Sequence, residues 1–201
     1  MEKFQRIEAI AVPVDNPNVD TDQIIPARFL RKARKDGMAA YLFHDLRFND
    51  DGSEKPGFVL NRPAFRDARI LVAERNFGCG SSREHAVYAL HDYGIRAVLA
   101  PSFGDIFYNN SFKNGLLPIV LPDATAAALR AALNAKSGAR MTVDLAAERV
   151  TGPAGETIAF AIDPFRKHCL LEGVDELGFT LGFEADIAAF EKRQAQELSW
   201  L

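Results

Sequence analysis

The chain has 201 residues, of which 48% are hydrophobic and 25% charged, as in a globular protein with a substantial core. Its formal net charge of −3 at pH 7 argues against a nucleic-acid-binding protein that relies on bulk positive charge. The two cysteines exclude a disulfide framework and suggest a reducing cytoplasm. They are also too few to hold an iron–sulfur cluster alone, because such clusters usually take three or four thiolates.

The first quarter of the chain predicts one strand followed by an irregular region. Residues 4–14 alternate as a strand does, and the Pro- and Asn-rich loop after them carries the sequence DTD at residues 20–22. We expect a short helix after Pro26 and another over residues 38–46, followed by a turn-rich surface loop at residues 49–57.

The middle of the chain has the clearest pattern, that of a βαβ unit. Residues 69–73 predict a strand, and residues 84–93 predict a helix that ends at Gly94. Residues 95–100 predict a second strand, so the crossover between the two should be right-handed.

Alternation of helices and strands continues beyond this unit. The pattern predicts a helix over residues 103–113, a strand over residues 116–121 and an alanine-rich helix that Asp123 caps and that runs to about residue 135. Strands that alternate with helices favour an α/β fold with a mainly parallel central sheet.

After Gly138 the hydrophobic period changes to two. Residues 141–145, 149–151 and 157–162 alternate between apolar and polar side chains, which predicts a small β meander.

The C-terminal part predicts helices. A short helix should open at Pro164, and a final one should run from about residue 175 towards residue 197. Its apolar stripe indicates a core or interface position and consists of Phe183, Ile187 and Phe190. We expect one domain over residues 1–201, with residues 175–201 as a helical tail.

A glycine-rich loop, NFGCGSSREHA at residues 76–86, concentrates the chemistry of the chain. Gly78 and Gly80 permit backbone geometries that side chains would block, so a ligand can approach the main chain. The start of a helix offers free N–H groups and the positive end of its dipole. The side chains brought to this point are those of Ser81, Ser82 and Arg83. The natural occupant is an anion, especially a carboxylate.

The same loop has a simpler interpretation as a helix cap. Ser81 and Glu84 fit the capping-box pattern S-x-x-E, in which the serine only closes the helix. Arg83 favours the anion site, because a cation in the first turn of a helix is unfavourable unless it faces an anion. A serine can act as a base only where backbone N–H groups and cations stabilise its alkoxide.

Three segments in order resemble the aconitase superfamily. They are the loop NFGCGSSREHA, the upstream segment NVDTDQIIPARFL at residues 18–30, and SFGDIFYNNSFKNGLLPI at residues 102–119. The tail FRKHCLLEGVDELGFTLGFEADIAAFE at residues 165–191 is similar to that of the small subunits of bacterial 3-isopropylmalate dehydratases. The resemblance covers nearly the whole chain and implies a swivel-type domain with β/β/α layers.

The resemblance also assigns roles to individual residues. It implies that Ser81 is the base that removes or returns a proton at carbon, with Asp22 in a supporting acid–base or hydrogen-bonding role. Ser82, Arg83 and Gly80 are expected to bind the substrate. An alternative for Asp22 is an ordinary Asx turn in a loop.

The implied activity is that of a hydro-lyase that works only with a large iron–sulfur subunit. The [4Fe–4S] cluster of that partner would act as Lewis acid on the leaving hydroxyl, and this chain would bind no cofactor or metal itself. Dehydration followed by rehydration would interconvert 2- and 3-isopropylmalate in leucine biosynthesis. The alternatives are a related hydro-lyase subunit for citraconate, dimethylmaleate or homoaconitate, and a non-catalytic dicarboxylate-binding protein.

Substrate specificity is expected to depend on the region after the DTD sequence. Arg28, Phe29 and Leu30 are candidates, and the basic segment at residues 31–37 is either part of this region or a solvated loop. An isopropyl group needs an apolar wall and a third carboxylate needs an arginine. The sequence supplies both apolar residues and arginines here, so the choice between an isopropyl group and a third carboxylate stays open.

The remaining cysteine and histidines give no metal pattern. Cys79 is expected to be a small loop residue and His85 a structural histidine. His44 and His91 lie on expected helices without an evident partner, and His168 neighbours the second cysteine.

Overall fold

One seven-stranded sheet organises the chain, whose computed structural model describes residues 1–34 and 37–197. The strands are β1 (Arg6–Val14), β2 (Ile70–Ala73), β3 (Ala97–Ala100), β4 (Leu117–Val120), β5 (Arg140–Asp144), β6 (Arg149–Thr151) and β7 (Thr157–Ala159). Their order in the sheet is β4-β3-β2-β1-β5-β6-β7. Parts of the predicted segments 31–37 and 175–201 lie outside the described residues.

Eight α-helices accompany the sheet in the described part of the chain. They are α1 (Thr21–Ile24), α2 (His44–Arg47), α3 (Glu84–Tyr93), α4 (Asp105–Lys113), α5 (Asp123–Ala135), α6 (Pro164–Glu172), α7 (Glu176–Leu181) and α8 (Glu184–Glu197). None of these described helices is both long and apolar enough to cross a membrane.

Most predicted elements are confirmed, with bounds that differ by a few residues at most. The helix expected after Pro26 is only a 3-10 turn, Ala27–Phe29. The helix expected over residues 38–46 is a 3-10 turn, Ala39–Tyr41, followed by α2. The single C-terminal helix was wrong, since the chain turns at Gly182 between α7 and α8.

The sheet has a parallel half and an antiparallel half that meet at β1. Strands β1 to β4 pair in parallel, and β1, β5, β6 and β7 pair antiparallel. The α/β class and the C-terminal meander are therefore confirmed. The mainly parallel central sheet is confirmed only in part, because three of the six strand pairings are antiparallel. A parallel connection needs a crossover, which helices α3 and α4 provide, whereas tight turns suffice in the meander.

Both faces of the parallel strands are buried, which explains their continuous apolar sequences. One row across the strands, Ala11, Ile70 and Ala97, packs in a core with α5 and the meander. The next row, Val12, Leu71 and Val98, packs on the other face against α3 and the irregular N-terminal region. Successive side chains of each strand therefore point into different cores, one on each face of the sheet.

Arg130 connects α5 to the carboxyl ends of two strands. Its side chain is 9% exposed and donates to the carbonyl of Ala73, the last residue of β2, at 2.9 Å. It also pairs with Asp15 and Glu74, which directly follow β1 and β2. Asp123, by contrast, does not cap α5, because Pro122 occupies the N-cap position and no side-chain bond is made there.

The C-terminal helices α7 and α8 add no buried residue to the core. The predicted apolar stripe is exposed, with Phe183 at 48%, Ile187 at 40% and Phe190 at 55%. In this chain the stripe is therefore surface rather than core.

Candidate active site

The three segments singled out in the sequence meet at the carboxyl ends of β1, β2 and β3. Phe77, in the glycine-rich loop after β2, forms a parallel bridge with Phe103 after β3. Its N–H donates to the carbonyl of Ser102 at 3.1 Å, and its carbonyl accepts from Gly104 at 2.9 Å. This edge is where open α/β sheets hold their ligands.

Close packing explains two glycines at this junction. Gly78 has φ +72°, and a Cβ there would lie 2.3 Å from Cγ of Phe107 on α4. A Cβ at Gly104 would lie 2.5 Å from the carbonyl oxygen of Gly78. Both positions therefore require glycine for the two loops to touch.

The DTD segment is joined to the same loop by main-chain and side-chain bonds. The N–H of Thr21 donates to the carbonyl of Cys79 at 2.9 Å, and its hydroxyl donates to the carbonyl of Ser81, also at 2.9 Å. Thr21 is 3% exposed, so these bonds are shielded from water. A capping box between Asp20 and Gln23 fixes the start of α1 beside them.

The alternative interpretation of Ser81 as part of a capping box is wrong. The N-cap of α3 is Arg83, and it makes no side-chain cap bond. Glu84 accepts instead from Nδ2 of Asn114 at 2.8 Å, across from α4. Ser81 and Ser82 are exposed and precede the helix, so neither hydroxyl is consumed in closing it.

The loop presents free donors where the anion site was predicted. No backbone hydrogen bond in the described part of the chain uses the N–H of Gly80, Ser81 or Ser82. Gly80 is exposed with φ +88°, and the positive end of the α3 dipole lies directly after the serines. Free N–H groups at a helix start are a favourable environment for a carboxylate.

Arg83 and Asp22, predicted from separate segments, form an ion pair. The Arg83 side chain is 14% exposed and that of Asp22 is 54% exposed. The guanidinium lowers the pKa of the Asp22 carboxyl, and a hydrogen bond from the N–H of Ala27 at 3.0 Å acts in the same direction. Since Asp22 accepts from the fifth residue along the chain, the Asx-turn alternative is wrong.

A shallow cleft of about 430 Å³ adjoins this pair. It is lined by Asp20, Asp22, Gln23, Pro26, Ala27, Arg28, Asp45 and Leu46. Arg28 forms a bidentate pair with Asp45 of α2, and one contact, from Nη1 to Oδ2, is 2.9 Å. Nδ1 of His44 lies 3.2 Å from Nη2 of Arg28. The Arg28 guanidinium lowers the pKa of Asp45 to about 2.

The other two specificity candidates lie against the hydrophobic core. Phe29 stacks on Tyr41 with ring centroids 4.3 Å apart, and Leu30 packs beside it against the α3-side core. Neither lines the cleft that holds Asp22 and Arg28. The substrate-binding role expected of Leu30 is untested and stays a prediction.

The two cysteines of this chain are free thiols. Burial is the main factor that raises the thiol pKa of both Cys79 and Cys169. Within residues 1–34 and 37–197, no three His, Cys, Asp or Glu side chains are grouped to hold a metal ion.

Sequence reasoning missed several contacts at the site. His44 was expected to have no partner, yet it contacts Arg28 and lies 3.2 Å from Asp45. Thr21 was noted only as part of a motif, although it connects the two loops. His44 and Asp45 are neighbours in sequence, but the contact of His44 with Arg28 spans 16 positions and that of Thr21 with Ser81 spans 60, so no local pattern could reveal these two.

Comparison with known proteins agrees with this geometry. The model of the aconitase C-terminal domain matches residues 1–124, and a second model, LeuD_N, matches residues 127–164. The chain is 54% identical to the 3-isopropylmalate dehydratase small subunit of Paramagnetospirillum magneticum and 53% identical to that of Parvibaculum lavamentivorans. Both alignments span 201 residues and the full length of both chains.

A solved structure gives the same result. The crystal structure of 3-isopropylmalate dehydratase from Methanocaldococcus jannaschii has a TM-score of 0.66 and 28% identity, and the match covers 92% of this chain and 98% of that one. Identity above one half over the full length, together with the convergence of the three motif segments, establishes the relationship. The chain therefore belongs to the family of 3-isopropylmalate dehydratase small subunits.

Proposed function

We propose that the chain is the small subunit of a heteromeric isopropylmalate isomerase, a hydro-lyase of leucine biosynthesis. The enzyme interconverts 2-isopropylmalate and 3-isopropylmalate by elimination of water and its addition with the opposite regiochemistry. The observation that carries the proposal for the site is the direct contact between the DTD segment and the glycine-rich loop, through Thr21 to Ser81 and Asp22 to Arg83.

Ser81 is the proposed base. It takes the proton from the carbon next to the one that bears the hydroxyl, and it returns a proton when water adds to isopropylmaleate. In the isolated chain Ser81 is exposed, and an alkoxide in bulk water is unfavourable. The loop N–H groups and Arg83 can stabilise it only when a second surface excludes water.

Substrate carboxylates are assigned to the loop after Gly78. The free N–H groups of Gly80, Ser81 and Ser82 and the guanidinium of Arg83 are the donors for one carboxylate. The contact of Asp22 with Arg83 orients the guanidinium at the loop, which supports an indirect role for Asp22 in positioning. Arg28 and Leu30 belong to the proposed specificity region.

The partner is proposed to be the large iron–sulfur subunit of the same enzyme, which carries the [4Fe–4S] cluster. Two features of this chain support a split site, namely the exposure of its serines and a cysteine count too low to hold a cluster. The two unpaired cysteines also support a cytoplasmic location.

The test is Ser81→Ala in the assembled two-subunit enzyme. Loss of a positioned base should reduce kcat by about 10²- to 10⁴-fold while the variant still co-purifies with the large subunit. Ser82→Ala should act mainly on KM, because Ser82 is assigned to binding. The matched control is Ser137→Ala, which alters an exposed serine in a loop before β5 and should leave both constants unchanged. Near-normal turnover by the Ser81 variant would rule out its role as base.

A further inference from the structure

The cleft beside the proposed site contains an arginine that is already fully engaged by a carboxylate. Both terminal nitrogens of Arg28 contact the two oxygens of Asp45, in the bidentate geometry that guanidinium and carboxylate favour. The Arg28 guanidinium also lies 4.6 Å from the ring centroid of Phe29, which restricts its movement. Arg28 is therefore paired with one carboxylate and lies against one aromatic ring, in a surface pair whose side chains are 53% and 56% exposed.

The remaining charges of the cleft are negative. Asp20 and Asp22 line it together with Asp45, and Arg28 is its one lining cation among the described residues. A substrate carboxylate that entered here would have to displace Asp45 from Arg28 and would lie near two further carboxylates, Asp22, which is paired with Arg83, and Asp20, which caps α1. Like charges in a binding site are a means of rejecting a wrong ligand.

The uncharged part of the cleft suits an alkyl group. Pro26, Ala27 and Leu46 provide its apolar lining, and Leu46 is 36% exposed. A branched three-carbon group can bury against such side chains without leaving a polar group unpaired.

We propose that Asp45 is a specificity-determining positioning residue: it occupies Arg28, so that the cleft accepts the isopropyl side group and rejects a substrate with a third carboxylate. The inference rests on the proposed function and refines it, since it separates Arg28 from the residues that bind the common carboxylates. Asp45 acts through Arg28 and does not itself touch the substrate.

The test compares two substrates in the assembled enzyme. One is 2-isopropylmalate and the other is citrate, in which a carboxymethyl group replaces the isopropyl group. Asp45→Asn should free Arg28 and shift the ratio of the two kcat/KM values towards citrate by about tenfold or more. In the double variant Asp45→Asn with Arg28→Gln, the gain for citrate should disappear, because the cation that binds the third carboxylate is gone.

A matched control exists on the same chain. Glu54 and Arg66 form a second exposed bidentate pair, and Glu54→Gln breaks it without touching the cleft. This variant should leave the substrate ratio unchanged.

The outcomes separate the inference from the proposed function. If the unmodified enzyme does not turn over 2-isopropylmalate, the proposed function fails. If it does so but Asp45→Asn leaves the ratio unchanged, the inference is overturned and the function stands. If the gain for citrate persists in the double variant, Asp45 acts through its own charge and not by occupying Arg28, which also overturns the inference.

Discussion

Asp22 and Arg83 form an ion pair across 61 positions of sequence, and this contact brings the predicted supporting acid into the predicted anion site. Arg83 is mostly buried and stands at the N-cap of α3, where the helix dipole disfavours a cation. A carboxylate beside it compensates this unfavourable position. Before substrate binds, Asp22 supplies that negative charge.

The pair makes the titration of Asp22 depend on Arg83. The pKa of Asp22 lies below its ordinary value, chiefly because of the Arg83 guanidinium, so Arg83→Met should raise it. NMR titration of the Asp22 carboxyl carbon in the isolated subunit measures the shift. Arg75→Met is the control, because Arg75 is exposed and Asp22 is not affected by it in the structure. An unchanged pKa in the Arg83 variant would contradict the ion pair.

The lowered pKa of Asp22 also determines the direction in which pH changes the stability of the fold. A carboxyl whose pKa is lower in the folded state stabilises the fold above its unfolded pKa of about 3.9, and this contribution is lost as the pH falls through the lowered value. The stability difference between the original chain and Arg83→Met should therefore shrink below about pH 4. Urea denaturation at several pH values measures it.

Gly78 should not tolerate a side chain, because a Cβ there would overlap Phe107. Gly155 also has a positive φ but no close neighbour, so it allows the effect of backbone strain to be measured alone. Gly155→Ala adds only backbone strain, because φ is +88° and no atom lies within 4 Å of the new Cβ, so it should cost about 1 kcal/mol. Gly78→Ala adds overlap with Phe107 at 2.3 Å and should cost about 1–3 kcal/mol more. Thermal or urea unfolding of both variants gives the comparison, and equal costs would show that Phe107 can move away freely.

Arg130 should contribute to stability far more than an exposed arginine does. Arg130→Met leaves the carbonyl of Ala73 without its charged donor and removes the contacts to Asp15 and Glu74, for a loss of about 2–3 kcal/mol. Arg140→Met breaks an exposed pair with Glu8, whose side chains are each 57% exposed, and an exposed bond to the Glu8 carbonyl at 2.7 Å, and it should cost less than about 1 kcal/mol. Similar losses for the two variants in urea unfolding would refute the special role of Arg130.

Local sequence patterns predicted the parallel half of the fold well because each signal there is short-range. Helix α3 has helical spacing and ends at Gly94 with φ +111°, which the sequence signals directly. The pairing of β5 with β1 could not be foreseen, since Arg6 and Asp144 face each other across 138 positions of sequence. Two helix caps suggested by local patterns are not formed. Pro122 and not Asp123 is the N-cap of α5, and Glu84 accepts a hydrogen bond from Asn114 at the end of another helix.

The site was likewise predicted only where its residues carry short-range signals. Gly78 and Arg83 carry local signals of conformation and charge, and the structure places them beside the DTD segment. The engagement of Arg28 by Asp45 depends on how α2 packs, which neither residue's neighbours in sequence determine. The sequence could therefore offer an arginine for specificity without revealing that its charge is already paired.

The apolar stripe of α8 should contribute little to the stability of the isolated chain. Ile187 and Phe190 are 40% and 55% exposed and lie outside the core, so replacing both with alanine should change the free energy of unfolding by less than about 2 kcal/mol. Leu133 on α5 is fully buried, and Leu133→Ala should cost about 2–5 kcal/mol. Urea unfolding of the isolated subunit measures both. A loss above about 2 kcal/mol for the α8 variant would mean that this helix packs against the chain in solution more closely than its exposed side chains indicate.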